Sequence, residues 1–534
     1  MNKNSSPNDK TSGNKQVTLT TGSESYVKYF YWGIFAVCAF LSIKYCLVGI
    51  NNYILDIHGF RQTQTALTAF YVIQDGFKLA YETPVLGTPW TIPFEFPLYQ
   101  WIVAIMKMNS SMSLDLSGRV VSLLFFYLCL IPTYKISRKY ITDKYAPLLI
   151  LSFILIHPIY IFWSRTFMIE STALFFSLCY LWQALDYLEN KKKIHFVLAT
   201  LLGVTAALVK ITTLVPFVMF LGIIILMQWI KEKGYTFNIK NNIKYVFYAV
   251  FFFLLPVITI KYWVDFSDAL KQLNQYAYDC TSATKLADWN YGTMDQKLSL
   301  ETWKGILVNS SLYNAKFYLF IIALIILTYY LKLKYWKHTL ACLALYFSAP
   351  LIFTNLHFIH NYYTYSNSVF LCVAFGFIAL SLIEQQSKQV LTFVGIGFSI
   401  VVSVYIFKSY LKDYYTPQKT NTDYIVKLSE QVKNLTKKDE VILVYGNDWG
   451  SEYAYYTERK TIALKNIFKS VNDSTFQYIL KKNKDCKIRT LVFVSYFNLY
   501  DGPFLNEMVN YLGYKPVLEQ QPFYIFQKPE TETK

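Results

Sequence analysis

Charge is scarce in this sequence: only 16% of its 534 residues are Asp, Glu, Lys or Arg, against about 25% in an average soluble domain. The deficit traces to runs with almost no charge at 34–50, 120–133, 147–163, 173–188, 317–331 and 390–407. A helix crossing a bilayer core needs about 20 apolar residues, so these runs predict a polytopic membrane protein. Other signals are missing too. The eight cysteines form no CxxC or metal-ligand spacing and read as small core residues. Only Cys280 and Cys486 fall in segments predicted to share one side of the membrane. Residues 1–27 are polar and contain no apolar stretch of the signal-peptide kind. They read as a disordered cytoplasmic tail, with the first span as an uncleaved anchor. No internal repeat, GxGxxG or P-loop is evident.

The formal net charge of +17 would fit a nucleic-acid partner, but the lysines are placed otherwise. They concentrate in short loops between apolar runs, at 135–144, 189–195, 231–244 and 332–338. The positive-inside rule makes these loops cytoplasmic, so the partners implied are membrane lipids and not nucleic acid. The stretch 195–229 joins two such loops and must cross twice, turning near Lys210. The segment 97–108 covers only about 18 Å as helix and reads as a re-entrant or juxtamembrane helix. The count is about eleven transmembrane helices with the N-terminus inside and the C-terminus outside. Two large outer loops, 51–117 and 264–312, belong to a transmembrane domain spanning 28–410. From 411 to 534 the composition turns polar. Strand-like runs at 440–445, 490–496 and 523–527 alternate with helical patterns at 422–435, 474–482 and 504–512, predicting an extracytoplasmic α/β domain.

Arginine is rarer still: Arg61, Arg119, Arg138, Arg165, Arg459 and Arg489 are the whole set. Of the four in the membrane part, three fall at predicted outer ends of spans, against the positive-inside trend. A guanidinium there is costly, yet its planar fork suits phosphate oxygens. The alternative is snorkelling to lipid headgroups. Just past the first span comes Asp56-Ile57-His58-Gly59-Phe60-Arg61-Gln62. An acid, an imidazole and a guanidinium together offer a general base and an anion site, or else a capped helix N-terminus. Further polar positions follow on the same side: Glu95 and Tyr99 in the stretch 93–99, Gly118-Arg119, Arg165 with Glu170, and Lys210 in an apolar hairpin. The last cluster, His357, His360, Tyr362 and Tyr363, is either an interfacial aromatic belt or a wall on which a sugar stacks. A divalent metal there is possible but not indicated, and no cofactor is required.

In order and in side of the membrane, these segments resemble the GT-C glycosyltransferases of the family 39 type, which include protein O-mannosyltransferases and aminoarabinose transferases. The resemblance covers about 29–410. It rests on Asp56, the HGFRQTQTA and EFPLYQ stretches, Gly118-Arg119, Arg165 with Glu170, the approach to Lys210, and HNYY at 360–363. It implies a GT-C fold and a sugar donor linked to a polyprenyl phosphate. It also implies inverting transfer to an acceptor hydroxyl on the non-cytoplasmic face of a bacterial inner membrane. By the same analogy Asp56 is the general base. Arg61, Arg119, Arg165 and Lys210 hold the donor phosphate, and His58, Gln62, Glu95, Tyr99, Glu170, His357, His360, Tyr362 and Tyr363 complete the substrate site. The family's usual second acid after the first span is absent, since Ile57 follows Asp56. The acceptor, whether protein, lipid or glycan, stays open. The rival readings are a lipid or glycan transporter, which predicts ionisable residues near mid-membrane in paired halves, and an O-antigen polymerase or ligase.

Overall fold

The computed structural model describes residues 23–234, 242–310, 315–384, 389–465, 467–494, 502–520 and 523–529. The expected tail before residue 23 and the middle of the basic loop 231–244 lie outside them. Each charge-poor run is helical, as it must be where no water is present to satisfy a backbone amide. The first eight helices are α1 (Ser23–Cys46), α2 (Gly59–Asp75), α3 (Leu98–Met108), α4 (Leu114–Ser137), α5 (Pro147–Ile156), α6 (Pro158–Trp163), α7 (Glu170–Asn190) and α8 (Lys193–Lys233). Pro158 breaks the third apolar run into α5 and α6, because proline lacks the N–H that an unbroken helix needs there.

Among the described residues, five helical segments are long and apolar enough to cross a membrane: Tyr26–Cys46, Leu114–Ser137, Lys193–Lys233, Ile243–Gln272 and Gln389–Asp413. Pro147–Ile156, Ile321–Tyr330 and Ser368–Ile383 are shorter apolar helices. Length and composition therefore support a multi-pass membrane protein without reaching the expected count of about eleven. Helix α3 has 11 residues, too few to span. The helix Leu255–Gln272 runs into the stretch where the second outer loop was expected to begin at 264, and Gln389–Asp413 ends just beyond the expected boundary at 411.

Helix α8 is two helices meeting at Lys210, whose backbone is extended (φ −165°, ψ 96°). Phe196, before the break, packs on Tyr187 near the end of α7, with ring centroids 5.3 Å apart. Phe220, beyond it, packs on Tyr140 just past the end of α4. Helices α4 and α7 run parallel, with α5 and α6 returning between them, so both halves of α8 come back to the same end of the bundle. Lys210 is left at the other end.

That other end carries the C-terminal domain. Its strands are β1 (Val441–Tyr445), β2 (Thr461–Leu464), β3 (Ile488–Val494), β4 (Lys515–Gln520) and β5 (Phe523–Gln527), in spatial order β2-β1-β3-β5-β4. The first three are parallel, with Leu443 of β1 opposite Ile462 and Leu491. β5 is antiparallel to both β3 and β4. The α/β character was expected; the short strand β2, the polar strand β4 and the helix Glu452–Thr457 were not.

The domain is built into the membrane part. The Thr461 N–H donates to Pro84 O at 3.0 Å and the Ala463 N–H to Val85 O at 2.8 Å, so the segment between α2 and α3 covers the free edge of β2. One apolar cluster contains Leu67 of α2, Val103 of α3 and Phe167, together with Leu443, Ile462 and Phe493 of the sheet. Burial of this shared surface, at roughly 25 cal/mol per Å² of apolar area, holds the domain against the bundle.

Candidate active site

Where the bundle meets the C-terminal domain there is a cavity of about 730 Å³. Its floor comes from the membrane part: Arg61, Gln64, Glu95, His360, Tyr362 and Tyr363. Its roof comes from the C-terminal domain, with Asn447, Asp448, Trp449, Glu452 and Lys465, and one side is closed by Asp279 and Trp289. Three elements far apart in sequence thus meet here.

Arg61 lies in the first turn of α2, which begins after His58 in left-handed conformation (φ 54°). That turn directs the guanidinium into the cavity, where it is ion-paired with Glu95 and donates to the Gln64 side-chain oxygen. The Gln64 amide nitrogen is buried without a partner, and so is Nδ1 of His360. Burial, together with the nearby His58, Arg61 and Lys210, pushes the His360 imidazole down to about 3, so it is neutral at physiological pH. His360 stacks on Tyr362 with centroids 5.2 Å apart, and Tyr362 on Tyr363 at 4.8 Å. His58 meets His360 edge-on at 5.1 Å behind this wall.

Lys210 sits one layer deeper. Its Nζ lies 2.6 and 2.7 Å from the two carboxylate oxygens of Glu170 and 4.1 Å from the centroid of the Tyr363 ring. Glu170 starts α7, where the positive end of the helix dipole favours a carboxylate. The pair fixes the α8 turn against α7 and backs the aromatic wall with positive charge, reaching the cavity only through that wall.

Asp56, Arg119 and Arg165 form a second, closed cluster. Gly118 allows the close approach that creates it, since a Cβ there would lie 2.2 Å from the Phe167 ring. Arg119 and Arg165 then converge on Asp56 Oδ2, at 3.4 and 3.1 Å. Their remaining guanidinium bonds go to the carbonyls of Gly49, Ile50, Asn52 and Tyr53. Gln62 donates to Asp56 Oδ1 and accepts the Phe167 N–H at 3.1 Å. The two arginine side chains have 0% exposure and that of Asp56 has 4%.

The sequence candidates divide between the cavity and the layers behind it. Arg119 and Arg165 lie outside the cavity lining: their terminal nitrogens bond Asp56 and the carbonyls of the turn after α1, while the Nε of each is buried without a partner. Asp56 has both oxygens engaged and is outside the cavity lining. Gln62 belongs to the same closed cluster. Tyr99 is buried, donating to Gly118 O at 2.8 Å with Ser122 Oγ at 2.9 Å, and does not reach the cavity. His357 and Glu170 are buried outside the lining too, and the half-buried His58 also stands behind it. Of the sequence candidates, Arg61, Glu95, His360, Tyr362 and Tyr363 come together in the cavity. Among the described residues no group of three or more His, Cys, Asp and Glu could hold a metal ion.

The roof was missed. Its signal in the sequence is the glycine-bracketed Gly446-Asn447-Asp448-Trp449-Gly450 immediately after a strand. Asp448 has a positive φ of 46°, a conformation uncommon for a residue with a Cβ and concentrated at functional sites.

No family model matches the sequence, and no curated protein matches it either. Solved structures do match the fold. ArnT from Cupriavidus metallidurans in the apo state aligns over 94% of this chain and 98% of its own, with TM-score 0.59 and 8% identity. The same protein bound to undecaprenyl phosphate gives TM-score 0.57 at 9% identity, over 95% and 98% of the two chains. The archaeal oligosaccharyltransferase AglB from Archaeoglobus fulgidus, in complex with an inhibitory peptide and a dolichol-phosphate, gives 0.55 at 12% identity, over 95% and 75%. At these identities the likeness is one of fold: the helical bundle and its C-terminal domain align with these proteins over nearly the whole of this chain.

Proposed function

We propose that this protein is an inverting membrane glycosyltransferase that moves a sugar from a polyprenyl-phosphate donor to an acceptor hydroxyl. The observation that carries this reading is the Arg61–Glu95 pair on the floor of a cavity between membrane and domain. The fold supports it, since one of the structures sharing that fold was solved with undecaprenyl phosphate and another with a dolichol-phosphate. In the reaction the acceptor oxygen attacks the anomeric carbon as the bond from that carbon to the phosphate oxygen breaks. The bonding pair leaves with the polyprenyl phosphate, and the acceptor proton passes to a carboxylate.

Arg61 meets the leaving phosphate, where a preorganised cation counts most because charge develops there in the transition state. A phosphate taking Arg61 releases Glu95 from its ion pair, and Glu95 becomes the proton acceptor in place of Asp56. The Gln64 amide and His360 offer the buried partners for sugar hydroxyls. The chain makes about eleven crossings of a bacterial inner membrane, with the N-terminus cytoplasmic and the cavity on the opposite face. Transport fits less well, because the polar side chains collect at one end of the bundle.

The test uses the full chain in detergent with undecaprenyl-phosphate sugars and a membrane extract as acceptor, following release of undecaprenyl phosphate. Release by wild type, lost in Arg61→Ala and Glu95→Gln with unfolding temperature unchanged, is the expected result. Undiminished release by Glu95→Gln would remove it as the base. No release from any donor would sink the glycosyl-transfer reading.

A further inference from the structure

The roof of the cavity points to the chemistry of the acceptor. Trp449 stacks on Phe94, with centroids 5.8 Å apart and planes inclined by 29°, and both residues line the cavity. Beside it stand two carboxylates and an amide: Asp448, Glu452 and Asn447. Asn447 Nδ2 donates to Glu452 Oε2 at 3.0 Å. The glycines hold this cluster tight. A Cβ at Gly450 would fall 2.3 Å from Glu452 Oε2 and 2.5 Å from Asn447 Nδ2, and one at Gly446 2.0 Å from Val494 O. Across the mouth, Lys465 Nζ pairs with Asp279 at 2.8 Å, and Trp289 adds a second indole.

An indole face beside fixed carboxylate and amide oxygens is a surface for a saccharide ring. The C–H face of the ring lies on the aromatic, and adjacent hydroxyls donate to the carboxylates. The surroundings argue against other acceptors. An extended peptide cannot add to the sheet at the edge of β2, which is already covered by Pro84 and Val85. A lipid acceptor would need an apolar channel at the roof, where the charged groups Asp279, Asp448, Glu452 and Lys465 stand instead.

Resting on the glycosyltransferase reading, we infer that the loop Asn447–Glu452 of the C-terminal domain is the acceptor subsite, and that the acceptor is a carbohydrate. Trp449 is its platform, and Asp448 and Asn447 take its hydroxyls. The donor sugar is held from below by the membrane part and the acceptor sugar from above by the domain.

The experiment is binding of the full chain in detergent to an array of defined oligosaccharides, with undecaprenyl phosphate binding measured in parallel. Wild type is expected to retain a subset of glycans. Trp449→Ala and Asp448→Asn should weaken that binding at least tenfold, while Trp449→Phe, which keeps a stacking face, stays within about threefold. Binding of undecaprenyl phosphate should be the same in all four proteins, which also reports that they are folded. If wild type binds the lipid phosphate but no glycan, or if Trp449→Ala binds glycans as wild type does, the carbohydrate subsite is overturned and the glycosyltransferase reading stands. If wild type binds glycans but no lipid phosphate, it is the donor assignment that fails.

Discussion

The hydroxyl of Tyr456, in the C-terminal domain, donates to Asp115 Oδ2 at the start of α4 at 3.2 Å and accepts the Ile54 N–H at 3.0 Å. Tyr455 donates to the other oxygen of Asp115. Two consecutive tyrosines therefore clamp the domain to the segment that carries Asp56 and Arg61. Tyr456→Phe leaves the Ile54 N–H and one carboxylate oxygen short of a partner, a loss of about 1–3 kcal/mol for buried groups. The expected outcome is a lower unfolding temperature in detergent and faster proteolysis near residues 414–423. The exposed Tyr262→Phe should change neither. Wild-type behaviour of Tyr456→Phe in both assays would show that the domain is held by apolar packing alone.

The closed cluster predicts a different signature for Asp56 than a catalytic base would give. Asp56→Asn leaves Arg119 and Arg165 buried at 0% exposure without their counter-charge. Breaking one side of a buried ion pair costs about 3–5 kcal/mol. The variant should lose activity and thermal stability together, and Arg165→Lys should do the same, because an ammonium does not reproduce the planar fork. A stable, inactive Asp56→Asn protein would return Asp56 to the role of base.

What the sequence made legible follows from what is local. Apolar runs and lysine-rich loops report single segments, and so the helices, the short α3 and the turn at Lys210 were readable. The arginines were rightly singled out as unusual, but their partners are carbonyls of residues 49–53 and a carboxylate 63 and 109 positions away. An arginine that ties down a turn looks the same in sequence as one that binds phosphate. Glu95 and Arg61 were readable as polar groups on one side, though not as a pair. Trp449 and Asp448 sit in a short loop between β1 and the helix Glu452–Thr457, and only the fold brings them over the cavity.

His360 gives a pH prediction with a definite sign. Its folded value is about 3 against an ordinary 6.5, through burial and the nearby His58, Arg61 and Lys210. Between those two values the unfolded chain binds a proton that the folded chain does not, so stability is complete above about pH 6.5 and declines as pH falls. The slope for one such group is about 1.4 kcal/mol per pH unit. Unfolding midpoints in detergent at pH 7, 6 and 5 should drop more steeply for wild type than for His360→Asn. Parallel curves would show that His360 is protonated in the folded state.

The buried pair at the α8 turn makes the sharpest test of how the aromatic wall is held. Glu170 has a side-chain exposure of 1% and accepts from Lys210 with both oxygens. Lys210 in turn lies under the Tyr363 ring at 4.1 Å. Glu170→Gln keeps the shape and removes the charge, leaving a buried ammonium against an amide. A cost of about 3–5 kcal/mol is expected, with loss of activity because Tyr362 and Tyr363 lose the support behind them. Removing both charges, in Glu170→Gln with Lys210→Met, should recover much of the stability, since a buried ion pair and an apolar replacement of similar volume are often close in free energy. Activity separates the two remaining roles. If the double variant is stable and active, the pair serves only to pin the turn. If it is stable and inactive, the charge of Lys210 acts on the cavity through the Tyr363 ring, and the affinity for undecaprenyl phosphate should fall with it.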